Sequence, residues 1–484
     1  MSETLARVAS AIGGRIHGVD PSVASAIRIS DVTHDSRTAG PGVAFVAIRG
    51  FTTDGHDHVV GAVSGGAAAV IVEEPPPVGV PAVVVPDTRS ALGTAAAFVH
   101  RNPSASMQVL GVTGTNGKTT VTRLVESILT DVGRRVGVIG TLGTRIAGVP
   151  RPGERTTPEA DDVQRLLAEM VRRHVATVAM EVSSHALELG RVIGTRFAVA
   201  GFTNLSQDHL DFHGDMDRYR AAKERLFLPD LSDEAVVWVD DPVGREIADS
   251  VSIPVTTVGE RAPADISIST ERVSIAGSTF RLRGLSGREI TVEFPLPGGF
   301  MVANAAVAAA MCLRAGAAPD EIRVGLEHAQ PVPGRFERVD VDGPAEVVVD
   351  YSHTPAGITA AIETARALTS GRVIGVIGAG GDRDRSKRSL MGAAASGADQ
   401  VVVTSDNPRS EDPTAIMADV MEGVQGEAAE IVDRREAIRA ALAMARAGDI
   451  VLVMGKGHEA YQEVAGRRIP FDDRVVAREE ASRP

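Results

Sequence analysis

Short apolar runs divided by turn residues set the pattern of this chain. Near its start, Val43–Ile48, Ala68–Val72 and Ala82–Val85 each have the length of a buried strand, and Gly- and Pro-containing segments separate them. A polar break at Arg101-Asn102-Pro103-Ser104 closes this first block. The apolar run Met107–Val112 then leads through a Gly-rich loop into a helical pattern from Thr119. The two prolines of Pro331-Val332-Pro333-Gly334 predict a linker after that second block. In the third block, Val373–Ile377, Val401–Thr404 and Ile450–Met454 alternate with Ala-rich helical stretches, which predicts a parallel sheet with crossover helices. The first and last of these runs end in Gly378-Ala379-Gly380-Gly381 and Gly455-Lys456-Gly457, where ligands of such sheets bind. No internal repeat or low-complexity tract interrupts the pattern.

Composition and charge narrow the class. A chain of 484 residues exceeds one compact core, since domains run to roughly 100–200 residues. Aromatics are only 3% of it, so Val, Ala, Leu and Ile must build the cores. Asp and Glu number 63 against 50 Lys and Arg, which argues against a general nucleic-acid surface. Cys312 is the only cysteine, so no intrachain disulfide forms and a reducing compartment fits. Met1 to Ala11 lacks the apolar core of a signal peptide, and no run reaches the roughly 18 apolar residues of a membrane helix. A soluble, cytoplasmic protein without membrane insertion is expected, a monomer because no coiled-coil heptad is visible.

The loop Gly111-Val112-Thr113-Gly114-Thr115-Asn116-Gly117-Lys118-Thr119-Thr120 follows a predicted strand and opens a predicted helix. That context turns backbone N–H groups and the helix dipole toward phosphate, with Lys118 on the terminal phosphates and the Thr119 hydroxyl on Mg²⁺. Val112 stands where the common form of the loop has its first Gly. A tight strand-to-helix turn with a surface lysine is the plainer reading.

Further motifs follow in order: Asp35-Ser36-Arg37, Thr156-Thr157-Pro158-Glu159, Glu181-Val182-Ser183-Ser184-His185, Asp208-His209-Leu210-Asp211-Phe212-His213-Gly214 and Ala222-Lys223. Later come Asp350-Tyr351-Ser352-His353-Thr354-Pro355, Gly380–Arg388, Asp406-Asn407-Pro408-Arg409 and Gly455-Lys456-Gly457-His458-Glu459. With this set, nearly the whole chain resembles the Mur ligases of the MurE type, which extend UDP-N-acetylmuramoyl-L-alanyl-D-glutamate by one amino acid. The resemblance implies an α/β protein of three domains: a UDP-binding α/β domain (1–104), a central P-loop ATPase-like domain with a parallel sheet (105–333) and a Rossmann-like amino-acid-binding domain (334–484). It also implies ATP as co-substrate and a two-step reaction, in which the glutamyl carboxylate becomes an acyl phosphate and an amine then displaces phosphate.

The resemblance assigns roles residue by residue. Gly114, Thr115, Asn116, Gly117, Lys118, Thr119 and Thr120 hold ATP together with Asn304, Arg335 and Asp350. Thr119, Glu181, His209 and a carbamylated Lys223, made from CO₂ or bicarbonate, hold Mg²⁺. With Lys118, the groups Glu181, His209 and Lys223 carry catalysis. Ser36, Thr156, Thr157, Ser183 and Arg191 take the UDP-muramoyl dipeptide. Arg383, Asp406, Asn407, Pro408, Arg409, Gly455 and Glu459 take meso-diaminopimelate, with Arg409 on its second carboxylate and Glu459 on its distal ammonium. Lysine lacks that carboxylate, so an Arg left unpaired rejects it. Read without the motifs, His209 is a structural histidine, Lys223 a solvated helix lysine, Arg335 a hinge ion pair and Asp350 a strand-end acid. Thr157 is also well placed to cap the helical pattern Val163, Leu166, Leu167, Met170, Val171. Met301, Trp238, Ala356, Leu189 and Ser389 depart from the pattern without removing a phosphate, metal or diaminopimelate group. A lysine-adding ligase, a folylpolyglutamate-synthetase-like ligase and a silent nucleotide-binding regulator stand as alternatives.

Overall fold

The computed structural model describes residues 2–50 and 53–482; Met1, Phe51, Thr52, Arg483 and Pro484 lie outside them. Among the described residues the strands form three main sheets. The N-terminal sheet has five strands, and Asp31–Thr33, Val43–Val46, Ala69–Val72 and Ala82–Val84 run parallel in that order. Val43–Val46, Ala69–Val72 and Ala82–Val84 are continuous apolar runs because both faces are covered.

The central sheet has eleven strands. Gln108–Thr113 lies in its middle, parallel to Thr177–Glu181 on one side and to Val199–Phe202 on the other. The helix Lys118–Asp131 packs on it through Val121, Leu124, Val125, Ile128 and Leu129, a spacing of three and four that places all five on one face. Each such fully buried side chain contributes about 1.5–3 kcal/mol of transfer free energy. An antiparallel extension, Ile266–Ser274, Gly277–Leu285 and Arg288–Phe294, continues one edge. Its last strand alternates buried and exposed positions, as a sheet with one wet face requires.

The C-terminal sheet has six strands, and five of them are parallel in the order Glu346–Asp350, Ile450–Met454, Val373–Ile377, Gln400–Val403, Ala428–Glu430. The sixth, Glu337–Val339, pairs antiparallel with Glu346–Asp350, so the expectation of a purely parallel sheet is corrected at one edge. The short connection of residues 340–345 allows this, because it turns the chain straight back from Glu337–Val339 along its neighbour. No helix among the described residues is long and apolar enough to cross a membrane.

Candidate active site

Three adjacent strand ends of the central sheet carry the first half of the site. The loop after Gln108–Thr113 turns into the helix at Gly117, whose φ is 91°. A Cβ there would lie 2.3 Å from Asn304 Oδ1, so only glycine admits both the turn and the asparagine beside it. The next loop buttresses it from behind: Asn204 Oδ1 accepts from Asn116 N at 3.0 Å, and Thr115 Oγ1 donates to Ser206 O at 3.0 Å. Lys118 Nζ donates to the loop carbonyls of Gly114 and Thr115, both at 2.9 Å. Burial pulls its ammonium below the usual lysine range. Thr120 is buried behind the loop.

Glu181, at the end of its strand and 1% exposed, is the hub. Its Oε2 accepts from Thr119 Oγ1 and from Thr141 Oγ1, both at 3.0 Å, and its Oε1 accepts from Thr141 N at 2.9 Å. Thr141 Oγ1 also lies 3.0 Å from Thr156 Oγ1. Lys223 is 2% exposed, donates to Gly114 O at 2.9 Å and lies over the Tyr219 ring. Burial, with Lys118 nearby, holds this amine well below the usual lysine range. His209 borders the same aromatic group and is the left-handed residue (φ 56°) before a short helix. Burial holds its imidazole at a pKa of about 3, so it is neutral at pH 7. A carboxylate, a hydroxyl, a neutral imidazole and a buried amine whose pKa is lowered are therefore assembled beside a phosphate loop.

The expected helix cap at Thr157 is corrected. The helix Ala160–Arg172 starts from Glu159, and Thr157 Oγ1 instead donates to Glu181 O at 2.8 Å and accepts from Ser183 N at 3.1 Å. Pro158 lies between, so Thr157 is too far upstream to reach the free N–H groups of the first turn. Ser183 itself caps the next helix, accepting from Ala186 N. Arg191 is not a free anion fork: its Nε is 2.9 Å from Glu159 Oε1, and Arg155 and Arg89 approach the same carboxylate at 2.9 and 3.7 Å. Ser36 opens a short helix capped by Asp35, which also holds Arg37 at 2.6 Å.

The C-terminal sheet supplies the other half. Asp350 accepts from Phe336 N at 2.6 Å and from Ser352 N at 2.8 Å. It thereby fixes the left-handed Phe336 next to Arg335, whose guanidinium stacks 4.2 Å above Tyr351 and donates to Thr119 Oγ1 at 3.1 Å. Asn407, Arg409, Gly455 and Glu459 lie in the loops after Gln400–Val403 and Ile450–Met454. Asn407 Nδ2 donates to Glu459 Oε2 at 2.6 Å, and Arg409 Nη1 donates to Gly381 O at 2.5 Å. Burial, with Asp406 close by, raises the Glu459 carboxyl above its usual range. Gly455 N donates to Asp350 O at 3.1 Å and a Cβ on it would lie 2.4 Å from Asp406 Oδ2, whereas Pro408 lies against Gly381. Arg383 is exposed and donates to Asp382 O at 3.0 Å.

Residues outside the sequence-level set join the halves. Lys387 Nζ donates to Asp208 Oδ1 at 2.8 Å, and His353 Nε2 lies 3.5 Å from Asp208 Oδ2. Burial opposes the charge on Asp208, yet His353, His209 and Lys387 hold its carboxyl well below the usual range. Asp208 and Lys387 both fall inside quoted motifs, but a buried partner in another domain leaves no local signal. Elsewhere, His34, Asp161 and Asp162 lie close enough to share an ion. Arg165 enters that cluster, 2.6 Å from Asp162 and 3.0 Å from Asp31, which makes it an ion-pair network between the N-terminal and central sheets.

Comparison with known proteins finds matches over each of the three main sheets. Residues 28–100 match the Mur ligase family catalytic domain, 112–312 the Mur ligase middle domain and 334–457 the Mur ligase glutamate ligase domain. The chain is 44% identical to the UDP-N-acetylmuramoyl-L-alanyl-D-glutamate–2,6-diaminopimelate ligase of Syntrophomonas wolfei, over 93% of this chain and 94% of that one. It is 45% identical to the Geobacillus thermodenitrificans protein of the same name, over 92% and 93%. A solved structure of a ligase of that name superposes with a TM-score of 0.70 at 33% identity, covering 99% of each chain.

Proposed function

The chain belongs to the Mur ligase family, and from that premise we propose that it adds meso-diaminopimelate to UDP-N-acetylmuramoyl-L-alanyl-D-glutamate at the expense of ATP. The reading is carried by the meeting of the two halves: Arg335 on Thr119 and Lys387 on Asp208 put the phosphate loop and the Asp406–Arg409 loop on one cleft. It acts in the cytoplasm as a monomer, with residues 1–104, 105–333 and 334–484 as its three functional units.

In the first step a glutamyl carboxylate oxygen attacks the γ-phosphorus of ATP, ADP leaves, and an acyl phosphate forms. An anion thus approaches a polyanion, so catalysis is chiefly positioning and charge compensation. Lys118 moves from the Gly114 and Thr115 carbonyls to the terminal phosphates, and Arg335 approaches from the other domain. Asn304 borders the nucleotide, while Asp350 keeps Arg335 aimed. The Thr119 hydroxyl, the Glu181 carboxylate and neutral His209 fit a Mg²⁺ ion, which when bound supplies charge neutralisation at those phosphates. Lys223 fits a carbamate because only the neutral amine adds CO₂, losing a proton as the N–C bond forms. In the second step the diaminopimelate amine attacks the acyl carbon, phosphate leaves and a proton is lost. Thr156, Thr157, Ser183 and Arg191 hold the dipeptide end, Ser36 the uridine end, and Arg383, Asp406, Asn407, Arg409 and Glu459 the amino acid.

The test is phosphate release from ATP in the presence of Mg²⁺ and the UDP-muramoyl dipeptide, with meso-diaminopimelate or L-lysine as acceptor. Product with meso-diaminopimelate alone is expected. Product with lysine alone refutes the acceptor, and no product with either refutes the ligase.

A further inference from the structure

The loop that carries Arg409 is held by a hairpin beyond the family match, which ends at residue 457. The hairpin pairs Tyr461–Val464 with Arg467–Pro470. Arg409 has φ 53°, a left-handed conformation that a side-chain-bearing residue keeps only where its surroundings impose it. The hairpin imposes it: Arg409 N donates to Glu463 O at 2.9 Å, and Ala465 N donates to Arg409 O at 2.7 Å. Glu463 N donates to Asn407 Oδ1 at 2.8 Å, and Gln462 Nε2 donates to Asp406 O at 2.8 Å. Three hairpin residues, Gln462, Glu463 and Ala465, therefore hold three of the four residues from Asp406 to Arg409.

The same hairpin supplies a charge. Glu463 Oε2 lies 3.7 Å from Arg409 Nε, and the two side chains are 30% and 21% exposed. On its other side the guanidinium is packed over Gly380, where a Cβ would come within 3.0 Å of Nη1, and bonded to Gly381 O. Glu463 is the one carboxylate within ion-pair distance of Arg409 among the described residues.

We propose that Glu463 is a specificity-determining residue: a resident counter-ion for Arg409 that the second carboxylate of the incoming amino acid displaces. This rests on the diaminopimelate reading of Arg409. The displaced Glu463 is already partly hydrated, so releasing it to water costs little. An acceptor without the second carboxylate leaves the Arg409–Glu463 pair in place and gains nothing from it. Glu463 thereby competes with the acceptor that Arg409 selects and is indifferent to the one it rejects. It raises the KM for diaminopimelate while keeping Arg409 oriented in the empty site.

The sign of this effect separates it from a merely structural role. Glu463→Gln keeps the backbone contacts and removes the competing charge, so the KM for meso-diaminopimelate falls about two- to fivefold, the range of a partly exposed ion pair. The low kcat/KM for L-lysine and the KM for ATP stay unchanged, so selectivity rises by the same factor. Glu463→Asp, which can still pair, stays close to the parent. In an Arg409→Ala background Glu463→Gln has no effect, because the two residues act as one unit. A KM for meso-diaminopimelate that rises or stays level, or an unchanged effect without Arg409, overturns the proposal. If the parent protein uses lysine instead, it is the reading of Arg409 that has failed.

Discussion

Removing Lys387 tests whether the two halves of the site are held together by charge. Its Nζ bridges from the C-terminal domain to Asp208 of the central domain, with the side chains 10% and 5% exposed. Deleting one partner of a buried ion pair costs about 3–5 kcal/mol, because the other charge is left behind. Here His353 remains 3.5 Å from the carboxylate and softens the loss. We therefore expect Lys387→Met to cost about 2 kcal/mol of domain closure, about thirtyfold in the ratio of closed to open molecules. Small-angle scattering should show a larger radius of gyration in the absence of nucleotide, and kcat should fall more than the KM for ATP rises. The deficit is largest at neutral pH and shrinks only when the pH falls far enough to protonate Asp208, whose carboxyl in the parent lies well below the usual range. Asp208→Asn combined with Lys387→Met should lose less than the sum of the two single changes. An unchanged scattering profile together with an unchanged kcat would refute the reasoning.

Arg409→Ala should lower kcat/KM for meso-diaminopimelate by about two orders of magnitude, the worth of a lost charge-assisted bond, while the KM for ATP stays level; an unaltered acceptor KM counts against Arg409 as the carboxylate site. Lys223→Ala should slow acyl-phosphate formation and recover in part with a small carboxylic acid such as acetate, and full activity without rescue would dismiss the carbamate. Burial opposes the charge on His34, but Asp161 outweighs it and raises the pKa above 6.5. The interdomain His34–Asp161 pair therefore stabilises fully below pH 6.5 and is lost as pH rises through the raised value. Thermal melts should lose that pH dependence in His34→Gln, and parallel curves for both proteins would exclude it.

Much of the fold was legible because parallel strands buried on both faces read as plain apolar runs, and the runs at Ala68–Val72, Val373–Ile377 and Ile450–Met454 lie within a residue of the observed strands. The antiparallel extension of residues 266–294 was less visible. Its strands alternate charged and apolar residues around a register shift between Thr270 and Arg272, and their pairing follows from contacts along the whole edge. The edge strand Glu337–Val339 is three residues long, too short for any period to show.

The site divides along a physical line. Residues whose role follows from local backbone, such as Gly117 and Lys118 at a strand-to-helix turn, could be read in place. Residues whose role depends on a partner far along the chain could not. Thr157 has the composition of a helix cap, but its hydroxyl is claimed by a strand end 24 residues on. Asp350 looks like a strand-end acid and is one, yet by holding Phe336 N–H it aims Arg335 at a hydroxyl 216 residues away. Arg191 has the planar fork that suits an anion, but Glu159 already neutralises part of it. An arginine so paired is held in one rotamer before the substrate arrives, so less entropy is lost on binding and some charge is forgone. On the proposed reading of Arg191 and Arg409 as substrate-binding cations, Glu159 and Glu463 make the same compromise: each carboxylate weakens the cation it orients.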